Sequence, residues 1–141
     1  MATLPWRPAR SPGDGADALV LGSRLELRRY RDIPRFMRAA MQVRKQVYRS
    51  HGAVGVSLIA QPARKTFWTL SAWADQASLD AFVGSRPHLD VMSRFHERLS
   101  NPQFTTWTVP RTDMPKPGST AKDLWRDART RLAAASSEGA R

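Results

Sequence analysis

The stretch GSRPHLDVM, residues 84–92, carries the side chain best suited to chemistry in this chain, His88. Gly84, Ser85 and Pro87 interrupt an otherwise amphipathic helical pattern, and the histidine stands where that pattern restarts. With Ser85 as N-cap and Pro87 in the first turn, a second helix can begin there. His88 then lies near the positive end of the helix dipole, which lowers its pKa and favours neutral imidazole. A neutral imidazole can serve as a general base or a metal ligand. The structural alternative is that it hydrogen-bonds a strand carbonyl and fixes the bend. His51 and His96 show no metal-ligand spacing with each other or with His88, and His96 beside Glu97 reads as a surface residue.

Other chemistries are poorly served. The chain has no cysteine, which excludes disulfides, a thiolate nucleophile and Cys-based metal sites. Gly13 and Gly15 fall in a Pro- and Gly-rich stretch rather than in a phosphate-cradling loop, and no serine sits in a nucleophile-elbow pattern. Asp75, Asp80, Asp90 and Glu97 fall mostly on the exposed side of their helix, so no carboxylate pair is expected.

The elements that must position His88 follow from periodicity. Residues 1–17 read as a flexible N-terminal arm. Residues 18–28 alternate as a first strand through Leu19, Leu21, Leu25 and Leu27. Asp32 and Pro34 open a helix whose apolar face carries Ile33, Phe36, Met37, Ala40, Met41, Val47 and Tyr48, with Arg35, Arg38, Gln42 and Arg49 around the other side. Residues 54–61 and 66–73 read as two further strands, the second being TFWTLSAW. Asp75 caps the helix that breaks at Gly84 and resumes to about Leu99, with Leu89, Met92, Phe95 and Leu99 on one stripe. Residues 104–109 form the last strand. The order is βαββαβ, a ferredoxin-like α+β domain over residues 18–110. Residues 111–141 form a C-terminal extension. Thr120 and Asp123 there make a capping box for a short extra helix carrying Leu124, Ala128 and Leu132, and the final few residues are expected to be disordered.

The strands are apolar on both faces. Phe67 and Trp73 alternate with Trp68, Leu70 and Ala72, and Phe104 is opposite in phase to Trp107 and Val109. One layer of helices covers only one face of a sheet. The second face is therefore expected to meet another sheet, in a homodimer. Of the 141 residues 41% are hydrophobic, with no run long enough to span a bilayer and no secretory signal, so a cytoplasmic location is expected. The net charge is +11, from 23 Lys+Arg against 12 Asp+Glu, and only Lys45, Lys65, Lys116 and Lys122 are lysines. Because the aromatic residues read as buried, this charge is taken as arginine-rich surface and nucleic acid is not an expected partner.

The run FWTLSAWADQASLDAFVGSRPHLDVMSRF, residues 67–95, resembles the antibiotic-biosynthesis-monooxygenase-like superfamily of dimeric α+β barrels. The match lies in an aromatic strand ending in Trp, then an Asp, a helix containing Leu and Phe, and a later His. The PH pair before a Met-bearing helix is also similar to spheroidene-monooxygenase-like proteins. The resemblance implies a ligand cleft between sheet and helices, which an unbroken helix would seal, and a homodimer through the sheet face. It further implies a cofactor-independent monooxygenase acting on an apolar aromatic or polyene small molecule. His88 would be the base and Arg86 or Trp73 would position the substrate. Phe36, Met41, Phe82, Met92, Trp107 and either Trp68 or Trp73 would line the cleft, with Arg86 and Arg94 available for an anionic or carbonyl group. A non-catalytic dimeric binding protein is one alternative. A haem-dependent monooxygenase with His88 as axial ligand is the other, although the first strand lacks the Asn of the haem-degrading members.

Overall fold

The computed structural model describes residues 2–139. In chain order the principal elements are β1 Ala2–Pro8, β2 Asp17–Leu27, α1 Ile33–Arg49, β3 Ala53–Gln61, β4 Thr66–Trp73, α2 Gln76–Val83, α3 His88–Phe95, β5 Leu99–Pro110 and α4 Lys122–Gly139. Strands β2 to β5 with α1 and the α2–α3 pair make the expected βαββαβ unit. Every paired strand is antiparallel, in the order β1-β3-β4-β2-β5. The protein is an α+β domain of ferredoxin-like type with an added strand and an added helix.

The period-2 alternation of the strands sorts the core into two layers. On one face Leu25, Leu27, Ala60, Phe67 and Leu99 pack against Phe36, Ala39, Val91 and Phe95 of the helices. Further along that face Val56 and Trp73 meet Val47, Leu79 and Phe82. On the opposite face Val20, Ile59, Leu70, Ala72 and Trp107 are buried with Leu124, Trp125 and Ala128 of α4. The two-faced strands are thus real, and the chain covers the second face itself. The expectation that this face needs a cover holds, and within one copy α4 supplies it. Gly22 faces α4 at ordinary contact distance. A Cβ there would lie 3.5 Å from the Ala128 Cβ.

The N-terminal arm is corrected. Residues 2–8 form an edge strand on β3, and Trp6 is buried at 3% exposure. Pro5 and Pro8 give this segment the composition of an arm, yet proline is tolerated on an edge strand because it breaks no interior ladder. Trp6 lies across Gly55, where a Cβ would approach the indole to 2.2 Å. Its backbone accepts from the Gly118 N–H (2.9 Å) and donates to the Ser119 carbonyl (2.8 Å), so the two chain ends bond each other. Trp125 Nε1 donates to Ser57 Oγ (3.1 Å), which donates to the Leu4 carbonyl (2.9 Å). One hydroxyl therefore ties α4, β3 and β1 together. The extra helix is 18 residues rather than short, with Ala121 instead of Thr120 accepting its first backbone bond, from Trp125. The disorder expected at the very end falls, for residues 140–141, outside the described residues.

A chain ending at residue 118 loses this cover and exposes Val20, Leu70, Ala72 and Trp107. It is expected to self-associate into larger species than the full chain in size-exclusion chromatography with light scattering. Within the full chain, Trp125→Ala is expected to cost about 3–5 kcal/mol in denaturant unfolding, the scale for a buried tryptophan. A truncated chain that stays monomeric and equally stable would show that α4 is not the cover.

Candidate active site

The helix break is held by α1. Gln46 donates from Nε2 to the Phe82 carbonyl at the end of α2 (3.3 Å) and accepts at Oε1 from the His88 N–H opening α3 (2.8 Å). One side chain thus satisfies the free amide that opens α3, bonds a carbonyl at the end of α2 that also accepts from the Ser85 N–H, and sets the two helices at a fixed angle. Asp75 caps α2 as expected, accepting from the Ser78 N–H (2.8 Å). Ser85 does not cap α3 through its side chain, since its hydroxyl donates back to the Ala81 carbonyl. Its own carbonyl accepts from the Leu89 N–H instead (2.9 Å).

Behind the break lies an apolar cavity of about 90 Å³ between the sheet and the helices. Strand β2 contributes Leu21, Ser23 and Leu25 to it, and β4 contributes Thr69 and Ser71. The helices bring Phe36, Ala40, Val43, Arg44, Phe82, His88 and Met92, and Phe104 of β5 stands at 48% exposure along its wall. Ser23 Oγ and Thr69 Oγ1 hydrogen-bond each other and pave the sheet side with hydroxyls.

Two groups give the cavity its chemistry. His88 Nδ1 lies 3.1 Å from the Val83 carbonyl. A carbonyl only accepts, so this contact needs the proton on Nδ1, and the neutral ring then keeps its lone pair on Nε2. Burial pushes the His88 pKa below its ordinary 6.5, opposed by the Val83 hydrogen bond. The direction is the one expected, but the larger cause is burial rather than the helix dipole. The ring also stacks on Phe82 (4.7 Å between centroids), which in turn stacks on Trp73 (4.7 Å). The second group is Arg44, absent from the expectations drawn from sequence. Its Nε is buried with no hydrogen-bond partner among the described residues. Burial, and then the like charge of Arg7, depress its pKa. The guanidinium nonetheless stays charged at any ordinary pH. A guanidinium N–H buried at an apolar cavity without an acceptor is suited to donate to an anionic oxygen placed there.

The structure therefore brings Phe36, Phe82, His88 and Met92 to one cavity and leaves the other expected residues elsewhere. Arg86 is exposed and pairs with Asp90 (3.2 Å). Arg94 is an exposed residue whose guanidinium lies 5.9 Å from the Phe95 ring. Met41 is 38% exposed on the outer side of α1. Trp68 and Trp107 belong to the α4 face, where Arg24 and Arg129 flank Trp68 (5.5 Å each) and Arg131 lies over Trp107 (5.0 Å). Trp73 is fully buried one layer behind the cavity and donates from Nε1 to Ser71 Oγ (2.9 Å). Arg44 was legible in principle. It falls within the stripe Phe36, Ala40, Val43, Val47, where a cation on the apolar side of a helix is anomalous.

No family model matches the chain, and no curated protein matches it in sequence. Solved structures match it in fold. A candidate monooxygenase from Fusobacterium nucleatum superposes with a TM-score of 0.63 at 6% identity, covering 77% of this chain and 52% of that one. The chain thus spans about half the length of that neighbour. SnoaB from Streptomyces nogalater, a cofactor-independent oxygenase, gives 0.58 at 14% identity over 72% of this chain and 100% of its own. A candidate antibiotic biosynthesis monooxygenase from Nitrosomonas europaea gives 0.59 at 10% identity over 67% and 92%. The chain has the antibiotic-biosynthesis-monooxygenase-like fold. The part shared with the shorter neighbours is about two thirds of this protein.

His88 links the site to stability. Its folded state binds a proton less readily than the unfolded imidazole. As pH falls below 6.5 the unfolded state gains the proton first, so stability is present above that pH and is lost as pH falls through and below it. The melting temperature is expected to drop between about pH 7.5 and 5.5, and His88→Gln is expected to flatten that drop. Equal slopes in the two proteins would show that His88 is not the group titrating.

Proposed function

We propose that this protein is a cofactor-independent monooxygenase-like enzyme acting on a compact apolar molecule with an acidic C–H or O–H group. The observation that carries the reading is the buried, unpartnered Nε of Arg44 in the wall of the same apolar cavity as an imidazole whose Nε2 is free of a proton. The fold of SnoaB and its neighbours supports it. In this reading His88 removes a proton from a substrate methylene, and Arg44 holds the resulting enolate. The carbanion reduces O₂, a C–O bond forms, and loss of water leaves a ketone. R₂CH₂ and O₂ become R₂C=O and H₂O, with all four electrons drawn from the substrate. Phe82 and Trp73 are positioning residues: their stack holds the imidazole, and neither supplies a proton.

Size narrows the substrate. A cavity of about 90 Å³ is small against the roughly 300–1,000 Å³ of ordinary ligand sites. It takes about one ring, and a polycyclic or polyene substrate needs Met92 and the half-exposed Phe104 to swing aside. The haem alternative needs far more space than this cavity offers. The same small volume favours a second reading, a binding protein without turnover. In either reading a second copy, as in the expected homodimer, would meet a sheet face that already carries α4.

Oxygen uptake with a panel of one-ring enols and phenols, in the presence of a metal chelator, tests the first reading. His88→Gln is expected to lower the rate by about 10²–10⁴, the usual share of a general base, with the fold retained. Arg44→Met is expected to weaken ligand binding by tenfold or more. Ligand binding that depends on Arg44 without any oxygen uptake would replace the enzyme with the binding protein. The absence of both would leave a cavity filled by its own side chains.

A further inference from the structure

The excess positive charge of the chain is not spread evenly. Arg28, Arg29, Arg31, Arg94 and Arg98 line one depression of about 460 Å³, with Asp32 and Glu97 as its only carboxylates and Ser93 and His96 completing the wall. It is formed where β2 ends, in the turn before α1, and by the last turn of α3 with the segment leading into β5. It is distinct from the cavity that holds Arg44 and His88, and nothing in the proposed chemistry uses it.

Two of these arginines are held in place. Asp32, only 5% exposed at its side chain, pairs with Arg98 (2.8 Å). Asp32 is thereby diverted from the N-cap of α1, where it makes no side-chain bond. Arg28 donates from Nε to the Leu99 carbonyl (3.1 Å), which fixes its plane and leaves its terminal nitrogens for a ligand. Arg29, Arg31 and Arg94 have no ion pair among the described residues. Five guanidiniums against two carboxylates leave three positive charges in excess within one concave surface, where the field is focused. Guanidinium forks match phosphate oxygens two at a time, and preset forks lose little freedom on binding.

We propose that this depression binds a small phosphate-bearing molecule carrying two to three negative charges, of the pyrophosphate class. A monocarboxylate would leave most of the excess charge unmatched. Recognition rests on the phosphates alone, because the one aromatic in the same turn, Tyr30, is committed elsewhere. Its hydroxyl donates to the Ala63 carbonyl (2.8 Å) and Lys65 lies over its ring (5.0 Å), and the ring is not part of the depression's lining.

The test is calorimetric titration of the full chain with inorganic pyrophosphate at fixed ionic strength. It is repeated on Arg31→Ala/Arg94→Ala and on Arg49→Ala/Arg64→Ala, which removes the same charge outside the depression. The Asp32–Arg98 pair is left intact so that the fold is not put at risk. One-to-one binding is expected, weakened about a hundredfold in the first double variant, or about tenfold per charge-assisted contact, and within threefold of the parent in the second. Equal losses in both variants would reduce the effect to diffuse net charge and overturn the proposal, as would the absence of saturable binding. A single-stranded oligonucleotide that binds far more tightly than pyrophosphate, with the same dependence on Arg31 and Arg94, would overturn it in favour of a nucleic-acid backbone.

Discussion

A sheet whose strands are apolar on both sides must be covered twice, and the rest of this structure follows from that requirement. Burial of apolar area is the main favourable contribution to folding, and an uncovered face of this size would drive association. Helices α1 to α3 cover one face with Phe36, Val47, Phe82 and Phe95, and α4 covers the other with Leu124, Trp125 and Ala128. Placing α4 there has further consequences. The chain must return beneath the sheet after β5, so Gly118 and Ser119 run beside Trp6, and the N-terminal segment becomes an edge strand instead of a loose end. Trp6 in turn fits only because residue 55 is glycine. The Trp125–Ser57–Leu4 chain is the hydrogen-bonded seam of this arrangement.

Most of the central domain could be read from the residues. Strands β2 to β5 show as alternation, α1 shows as a 3–4 stripe, and the break in the second helix shows in Gly84, Ser85 and Pro87. What escaped reading was tertiary in origin. The two-faced strands say that a cover is required but not whether it comes from a second copy or from the same chain. That choice turns on whether the helix carrying Leu124, Ala128 and Leu132 can reach the sheet, which no local pattern encodes. Pro5 and Pro8 mark a segment as unsuited to a sheet interior, and an edge strand satisfies that rule as well as a free arm does. The assignment of Trp68 and Trp107 to the cleft failed for the same reason. Alternation places them on one face together but does not say which face looks toward the helices.

The site was half legible. His88, Phe36, Phe82 and Met92 could be chosen from the break and the helix stripes, and all four reach one cavity. Arginines nearest the histidine in sequence, Arg86 and Arg94, were the natural choices for charge, and both point to solvent. The cation that does reach the cavity comes from α1, 44 positions before His88 in sequence. Proximity along the chain is a poor guide to proximity in an α+β fold, whereas a charge that violates the apolar stripe of its own helix is a good one. Arg44 breaks the pattern that Phe36, Ala40, Val43 and Val47 set, and such a local conflict persists where function or another contact offsets it.

The two roles weighed for His88, structural and chemical, are not alternatives in this fold. The Val83 carbonyl that takes the Nδ1 proton closes the bend between α2 and α3. By fixing that proton it also dictates which nitrogen keeps a lone pair. Gln46 sets the backbone of the same residue, and Phe82 sets the plane of its ring. A histidine serving only as a brace could give its hydrogen bond from an exposed position with an ordinary pKa. Here burial pulls the proton affinity down on the one nitrogen that the brace leaves unused. The bend therefore makes His88 a base of fixed tautomer, set in the wall of a cavity whose other charged group is Arg44.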